Sequence, residues 1–211
     1  MNEMATWQND VEKSYYFLKG FAFANASYNM QKALVLAKTM HEGQYRRGGA
    51  EYLVHPLRVC CYLISLGFED DVLLSAALLH DVVEDVEYIR NDPKKIVNEF
   101  GISEEVLDLV LLVTKTKEVA EESYYSHIRG DIKALLIKLS DRCNNVSTLQ
   151  CFTREKMQKY INETQTYILP LCSYGKATYP EYSGIITTMK YQITALCTTV
   201  QAFLNHQENN K

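Results

Sequence analysis

Val72-Leu73-Leu74-Ser75-Ala76-Ala77-Leu78-Leu79-His80-Asp81-Val82-Val83-Glu84-Asp85 is the stretch on which the fold turns. Its first half is an apolar run that reads as a buried core helix. Its second half places four metal-binding or proton-transferring side chains in about one and a half turns of the same predicted helix. At about 100° per residue, His80 and Glu84 stand about 40° apart, as do Asp81 and Asp85, so the quartet fits an arc of roughly 140°. Ionised groups crowded beside a core repel one another and lose hydration unless a cation or hydrogen bonds compensate. A metal is the economical explanation. Taken alone, the stretch is described equally well by a solvated helix end with one satisfied histidine.

Outward from this segment, the chain has the makings of one soluble globular domain. Its 211 residues are 47% hydrophobic and 23% charged, enough to bury a core. The net charge of -4 argues against general nucleic-acid binding, which favours a basic surface. No apolar stretch approaches the ~20 residues needed to span a membrane, and the N-terminus lacks the pattern of a signal peptide. The six cysteines, Cys60, Cys61, Cys143, Cys151, Cys172 and Cys197, form no C-x-x-C pair, so zinc-finger and thioredoxin-like readings lack support. The expectation is a reduced, cytoplasmic protein with buried or idle thiols.

Four prolines, nine glycines and apolar residues at helical spacing predict an all-α chain without repeats. Helices are predicted near 9–20 and 28–43, followed by the polar loop Tyr45-Arg46-Arg47-Gly48-Gly49-Ala50-Glu51. Pro56 suits the first position of the next helix, with His55 as its cap, and that helix ends near Gly67. The metal-motif helix starts around Glu69 to Asp71, and a short helix opens at Asn91-Asp92-Pro93 and stops at Phe100-Gly101. Ser103 then caps a helix to about Lys115, and 116–123 reads as a mobile loop. Further helices are expected from Asp131 to Leu149, from Thr153 to Pro170, and from 184 to 206. The tyrosine-rich segment 174–184 reads as a turn, and the tail from His206 to Lys211 should fray.

Two other elements could complete a site. His55, at a predicted helix N-terminus, can be aimed at a neighbouring helix end, although a simple cap is the plainer reading. Asp141 and Asn145 lie four apart on one helical face, after the apolar run Leu135-Leu136-Ile137; pairing of Asp141 with Arg142 or Lys138 competes with a ligand role. His55, His80, Asp81 and Asp141 together make a nitrogen–oxygen set suited to Mn²⁺, Fe²⁺ or Zn²⁺. Glu84 and Asp85 are then placed to take a proton from an attacking water. Arg46 and Arg47, on a glycine loop that can bend closely, suit phosphate oxygens, and Lys138 and Arg142 add positive charge. A phosphorylated substrate is favoured.

These blocks resemble the HD-superfamily hydrolase domain of RelA/SpoT proteins, the enzymes of the alarmone (p)ppGpp. The matching text is His41-Glu42-Gly43-Gln44-Tyr45-Arg46-Arg47-Gly48-Gly49-Ala50-Glu51-Tyr52-Leu53-Val54-His55-Pro56, then Ala76 to Asp85, Phe100-Gly101, Val113-Thr114-Lys115, and Asp131 to Leu149 with Ile137-Lys138-Leu139-Ser140-Asp141-Arg142-Cys143-Asn144-Asn145. The resemblance implies an HD-domain helical bundle over 28–150, an N-terminal helical segment over 1–27 and C-terminal helices over 151–211 packing on the same domain. It implies one Mn²⁺ held by His55, His80, Asp81 and Asp141, with other divalent metals as substitutes. Glu84 and Asp85 would assist the water, and Arg46 and Asn145 would contact the nucleotide. The implied reaction is hydrolysis of the 3′-pyrophosphate of ppGpp or pppGpp, by a stand-alone small alarmone hydrolase acting on a small-molecule nucleotide, with no nucleic-acid or membrane partner. Asn144 and Ser147 depart from the family pattern, Ser147 where an arginine is usual. Two alternatives stay open: a related phosphohydrolase such as an NADPH 2′-phosphatase, and a non-catalytic nucleotide sensor. The filled metal and proton-transfer positions disfavour the sensor, and the sequence leaves the oligomeric state open.

Overall fold

The computed structural model describes residues 3–209, and the side chains of 10–206. Helices dominate, as the sequence predicts. Among the described residues the only β-pairing is an isolated bridge between Tyr45 and Glu51. No described helix is long and apolar enough to cross a membrane. The chain divides into two compact units, the first ending at Val119 and the second starting at Ala120. That boundary falls inside the segment 28–150 expected to form one domain.

The first unit contains α1 (Glu3–Ala24), α2 (Tyr28–Met40), α3 (Val54–Ser65), α4 (Asp71–Leu79), α5 (Val82–Asp85), α6 (Glu87–Arg90), α7 (Lys95–Asn98) and α8 (Glu104–Val113). Helix α4 is its centre. Every residue from Leu73 to Leu79 is buried, and α2, α3 and α8 pack around it, so the helix is apolar on all sides because it has no solvent side. The turn that aims α4 follows from two local signals. After α3, Gly67 adopts φ 90°; its N–H donates to Ile64 O, and the Phe68 N–H donates to Leu63 O. This is a Schellman closure, which favours glycine at the left-handed position. Asp70 then caps α4 by accepting from the Leu73 N–H at 2.7 Å.

Asp71, in the first turn of α4, also caps a different helix. Its Oδ2 accepts from the Asn29 N–H at 3.0 Å and its Oδ1 from the Met30 N–H at 2.8 Å, two of the amides that α2 leaves without intrahelical partners. Ser27, next to them in sequence, makes no side-chain cap. Asn29 extends the chain of bonds by accepting the Ser103 N–H at 2.9 Å, ahead of α8. One carboxylate therefore ties the starts of α2 and α4 together, and Asn29 brings in the start of α8.

The second unit contains α9 (Glu121–Ile128), α10 (Ile132–Val146), a 3₁₀ turn (Leu149–Cys151), α11 (Arg154–Glu163), a π-helical segment (Thr164–Ile168), α12 (Leu169–Thr178), a second 3₁₀ turn (Pro180–Tyr182) and α13 (Ser183–Asn209). Helix α10 is its core element and packs against α9, α12 and α13. Asp131 caps it by accepting from the Ala134 N–H at 2.9 Å. Gly175 of α12 sits where a Cβ would come within 2.8 Å of Leu135 Cδ1, so the lack of a side chain lets α12 close onto α10.

Several boundaries differ from expectation for identifiable reasons. Helix α3 starts at Val54, so His55 and Pro56 both lie within its first turn; proline is tolerated there because the first amides lack intrahelical partners. The expected loop over 116–123 gives way to α9 at Glu121. Pro170 does not end a helix: the chain loosens into the π segment and restarts, with Pro170 in the first turn of α12, where its missing N–H costs little. Much of the expected tyrosine-rich turn is therefore helical. At the C-terminus α13 continues to Asn209, past the expected start of fraying, whereas Asn210 and Lys211 lie outside the described residues.

All six cysteines are free. Burial pushes the Cys61 and Cys172 thiols up to about 11, and Cys151 alone is exposed. Treatment of the native chain with N-ethylmaleimide should label Cys151 first, the half-buried Cys61 more slowly, and the four buried cysteines only on unfolding; mass spectrometry of the digested adduct reads the order. Asp71→Ala should lower unfolding stability by about 2 kcal/mol, measured by chemical denaturation, because it leaves the α2 amides without their acceptors.

Candidate functional site

Helix α4 breaks where the sequence predicts continuity. It ends at Leu79, His80 and Asp81 form a turn, and α5 begins at Val82. The His80 imidazole supplies a reason. Its Nδ1 lies 2.7 Å from the Ala77 carbonyl, the acceptor that an unbroken helix would offer to the Asp81 amide. The arc of roughly 140° for one straight helix is thus corrected. His80 and Asp81 sit at the corner, while Glu84 and Asp85 lie on α5 and are exposed.

The same contact fixes the chemistry of His80. With Nδ1–H donated to Ala77 O, Nε2 is left with a lone pair, the arrangement typical of a metal-binding histidine. His55, buried in the first turn of α3, brings its own Nε2 to 3.1 Å from His80 Nε2. Asp81 approaches both rings, with Oδ2 3.4 Å from His55 Nε2 and Oδ1 3.3 Å from His80 Nε2. Both histidines are at most 5% exposed. Two imidazoles and a carboxylate converging in a buried space form a donor set that fits a first-row divalent cation.

Around this set the first unit supplies groups that the sequence reading left without a role. The Tyr52 hydroxyl lies 2.7 Å from Asp81 Oδ2 and 2.7 Å from Asp85 Oδ2. Burial, and then the charges of Asp81 and Asp85, push its ionisation far above the ordinary tyrosine value, so the phenol keeps its proton. Its ring stacks on His41, centroids 4.8 Å apart. His41 is tied through Nδ1 to Gln44 Oε1 at 2.8 Å, and burial pulls its pKa below the ordinary value. Both residues stand in the quoted sequence blocks. The signal for Tyr52 is its place one helical turn ahead of His55, but a lone tyrosine in an apolar context reads first as packing.

The arginine loop is a tight structure rather than an open one. Arg46 N–H donates to Ala50 O and Gly49 N–H to Arg46 O, with Gly49 at φ 85°, a conformation open mainly to glycine. This closure holds the Arg46 guanidinium over the Tyr52 ring, 5.5 Å from its centroid, and leaves Arg47 exposed. Glu84 Oε2 accepts from the Lys115 N–H at 3.2 Å, and its carbonyl accepts from the Arg90 guanidinium.

In the second unit, the remaining expected residues lie along α10. Asp141 is buried, and both of its oxygens are held. Lys138 Nζ donates to Oδ2 at 3.1 Å, and Asn145 Nδ2 donates to Oδ1. Burial opposes the Lys138 charge, but Tyr124 and Asp141 hold the ammonium well above the usual lysine value. Arg142 faces another way. It is 3% exposed, donates to Glu163 Oε1 at 2.6 Å and Thr164 Oγ1 at 3.3 Å, and lies over the Tyr160 ring. Its expected role as a substrate contact gives way to an internal ion pair where α11 runs into the π segment.

The HD domain family model matches residues 33–171. A guanosine-3′,5′-bis(diphosphate) 3′-pyrophosphohydrolase of Aquifex aeolicus is 38% identical over 150 residues, 67% of this chain and 21% of that protein. The bifunctional (p)ppGpp synthase/hydrolase SpoT of Escherichia coli is 35% identical over 153 residues, again 67% of this chain and 21% of the relative. The chain thus spans about a fifth of the length of these curated relatives. A solved structure, described as a metazoan ortholog of SpoT that hydrolyzes ppGpp and plays a role in starvation responses, matches with a TM-score of 0.59 at 23% identity, over 81% of this chain and 94% of that one. That likeness bears on the fold. Because the family model spans well over half of its residues, the chain belongs to the HD domain family.

Proposed function

We propose that this chain is a metal-dependent hydrolase that removes the 3′-pyrophosphate of (p)ppGpp, giving GDP or GTP and pyrophosphate. The observation that carries the reading is the convergence of His55 Nε2, His80 Nε2 and the Asp81 carboxylate within 3.1–3.4 Å of one another, next to the exposed Glu84 and Asp85. The names of the relatives supply the substrate class. His55, His80 and Asp81 would hold the ion, Mn²⁺ in this reading, and Asp141 would be its fourth protein ligand. When bound, the ion would activate water and offset charge on the phosphate.

The chain's own residues divide the remaining work. The water oxygen bonds to the phosphorus attached to the 3′ oxygen, the bond from that phosphorus to the 3′ oxygen breaks, and a water proton passes to the carboxylate of Asp85 or Glu84. The freed 3′ oxygen takes up a proton from solvent as GDP or GTP leaves. Lys138 and Asn145 orient Asp141 by occupying one oxygen each. Arg46 and Arg47 meet the phosphates, the role for which guanidinium geometry is suited, and Asn145 also faces the nucleotide. Arg142 is reassigned to support α10 through Glu163. Six free thiols favour a reducing compartment such as the cytoplasm.

Incubation of the full chain with ppGpp and Mn²⁺ should release pyrophosphate. A chelator or Asp81→Ala should abolish that release, and Asp141→Ala should at least greatly weaken it. Release of inorganic phosphate from NADPH instead would move the assignment to the other phosphohydrolase reading, and no turnover of either nucleotide would sink both. Glu84→Ala combined with Asp85→Ala should lower kcat by about 100-fold or more while leaving Mn²⁺ binding intact by calorimetry. Full activity of the double variant would remove both groups from proton transfer.

A further inference from the structure

Tyr52 occupies a position that neither metal binding nor phosphate recognition explains. Its single hydroxyl lies at hydrogen-bond distance from two carboxylates of different assigned roles, Asp81 and Asp85, at 2.7 Å each. A phenol carries one hydrogen, so it can donate to only one of them at a time. The ring is held from several directions. His41 stacks on it, His55 meets its edge with centroids 6.1 Å apart, and Arg46 lies over it. The backbone adds to the constraint: the Tyr52 N–H donates to Gln44 O at 2.9 Å, and the His55 N–H donates to Tyr52 O at 2.9 Å. A hydroxyl fixed in this way is a geometric ruler between the ligand corner after α4 and the last residue of α5.

We infer that Tyr52 is a positioning residue which sets the orientation of Asp85 relative to Asp81. This rests on the metal-hydrolase reading above. When Asp81 gives its lone pairs to a cation, the hydroxyl hydrogen is left for Asp85 and fixes the oxygen that faces the water. Occupancy of the ion site and orientation of the base are thereby linked through one O–H. The exposed α5 turn is short, so this bond restrains Asp85 where α5 itself offers little rigidity. Arg46, lying over the ring that carries the hydroxyl, brings its loop into the same register.

The test is Tyr52→Phe, which keeps the ring and its stacking on His41 but removes the bond, with Asp85→Asn as a second background. Circular dichroism establishes that each variant is folded. Tyr52→Phe should lower kcat by about tenfold with KM for ppGpp nearly unchanged, and in calorimetry should leave Mn²⁺ affinity unchanged or raise it, because the hydroxyl no longer competes for the Asp81 lone pairs. In the Asp85→Asn background the same substitution should change kcat less than twofold, because the group that it positions is already disabled. A tenfold loss of Mn²⁺ affinity in Tyr52→Phe, or an equal fractional loss of kcat in both backgrounds, would overturn the inference. A parent chain that binds Mn²⁺ but leaves ppGpp intact refutes the substrate reading alone, and the affinity arm still decides about Tyr52. A parent chain that fails to bind Mn²⁺ overturns both.

Discussion

The fold is organised around an electrostatic conflict. Two imidazole nitrogens and a carboxylate meet within 3.1–3.4 Å in a space that solvent barely enters. Imidazole and carboxylate lone pairs gathered there are costly to desolvate unless a proton or a cation is shared among them. A cation offsets that cost by drawing the three groups onto one centre. The surrounding structure serves to hold the donors together. His80 is anchored to Ala77 O, His55 is fixed in the first turn of α3, and the Schellman turn at Gly67 brings α4 back against α3. Asp71 secures the whole by tying the starts of α2 and α4 together. A site of this kind needs a rigid frame more than strong individual contacts, since donors free to separate would relieve the conflict by moving apart.

How much of this the sequence discloses depends on whether the signal is local. The apolar run Leu73–Leu79 and the caps at Asp70 and Asp131 act over a few residues, and each is legible as it stands. The candidate ligands His55, His80 and Asp81 are visible as residue types, but each alone reads at least as well as a cap or a solvated helix end, and it is their convergence in space that sets them apart. The break between α4 and α5 is not legible, since it depends on a side chain of the motif itself capturing the Ala77 carbonyl. Nor is the remote cap of α2 by Asp71, which joins residues 42 apart. Tyr52 was hidden for a related reason: its meaning lies in two partners, 29 and 33 residues away, that no periodicity relates to it.

Helix α10 shows how adjacent charges can be given opposite tasks. Asp141 and Arg142 are neighbours in sequence and would pair in a simple reading, but successive side chains on a helix diverge by about 100°. Asp141 turns to Lys138 and Asn145, at i−3 and i+4 on its own face. Arg142 turns to Glu163 and Thr164. The division has a physical benefit. Two internal acceptors, Glu163 and Thr164, occupy the guanidinium and keep it from Asp141, whereas Lys138, a compact and single-point donor, holds one oxygen of that carboxylate.

The π segment completes this logic. A π turn inserts a residue into a helix and is favoured only where something compensates the strained ladder. Here the compensation sits at its first residues. Glu163 accepts from Arg142 and from the Tyr125 hydroxyl at 2.7 Å, and the Thr164 hydroxyl donates to Tyr160 O at 2.7 Å while accepting from Arg142. The bulge displaces the chain so that Pro170 starts a new turn instead of breaking an old one, and it lets Gly175 reach Leu135. Arg142 therefore shapes the helix pair to which Asp141 belongs. A substitution there would be felt through the packing of α10, α11 and α12.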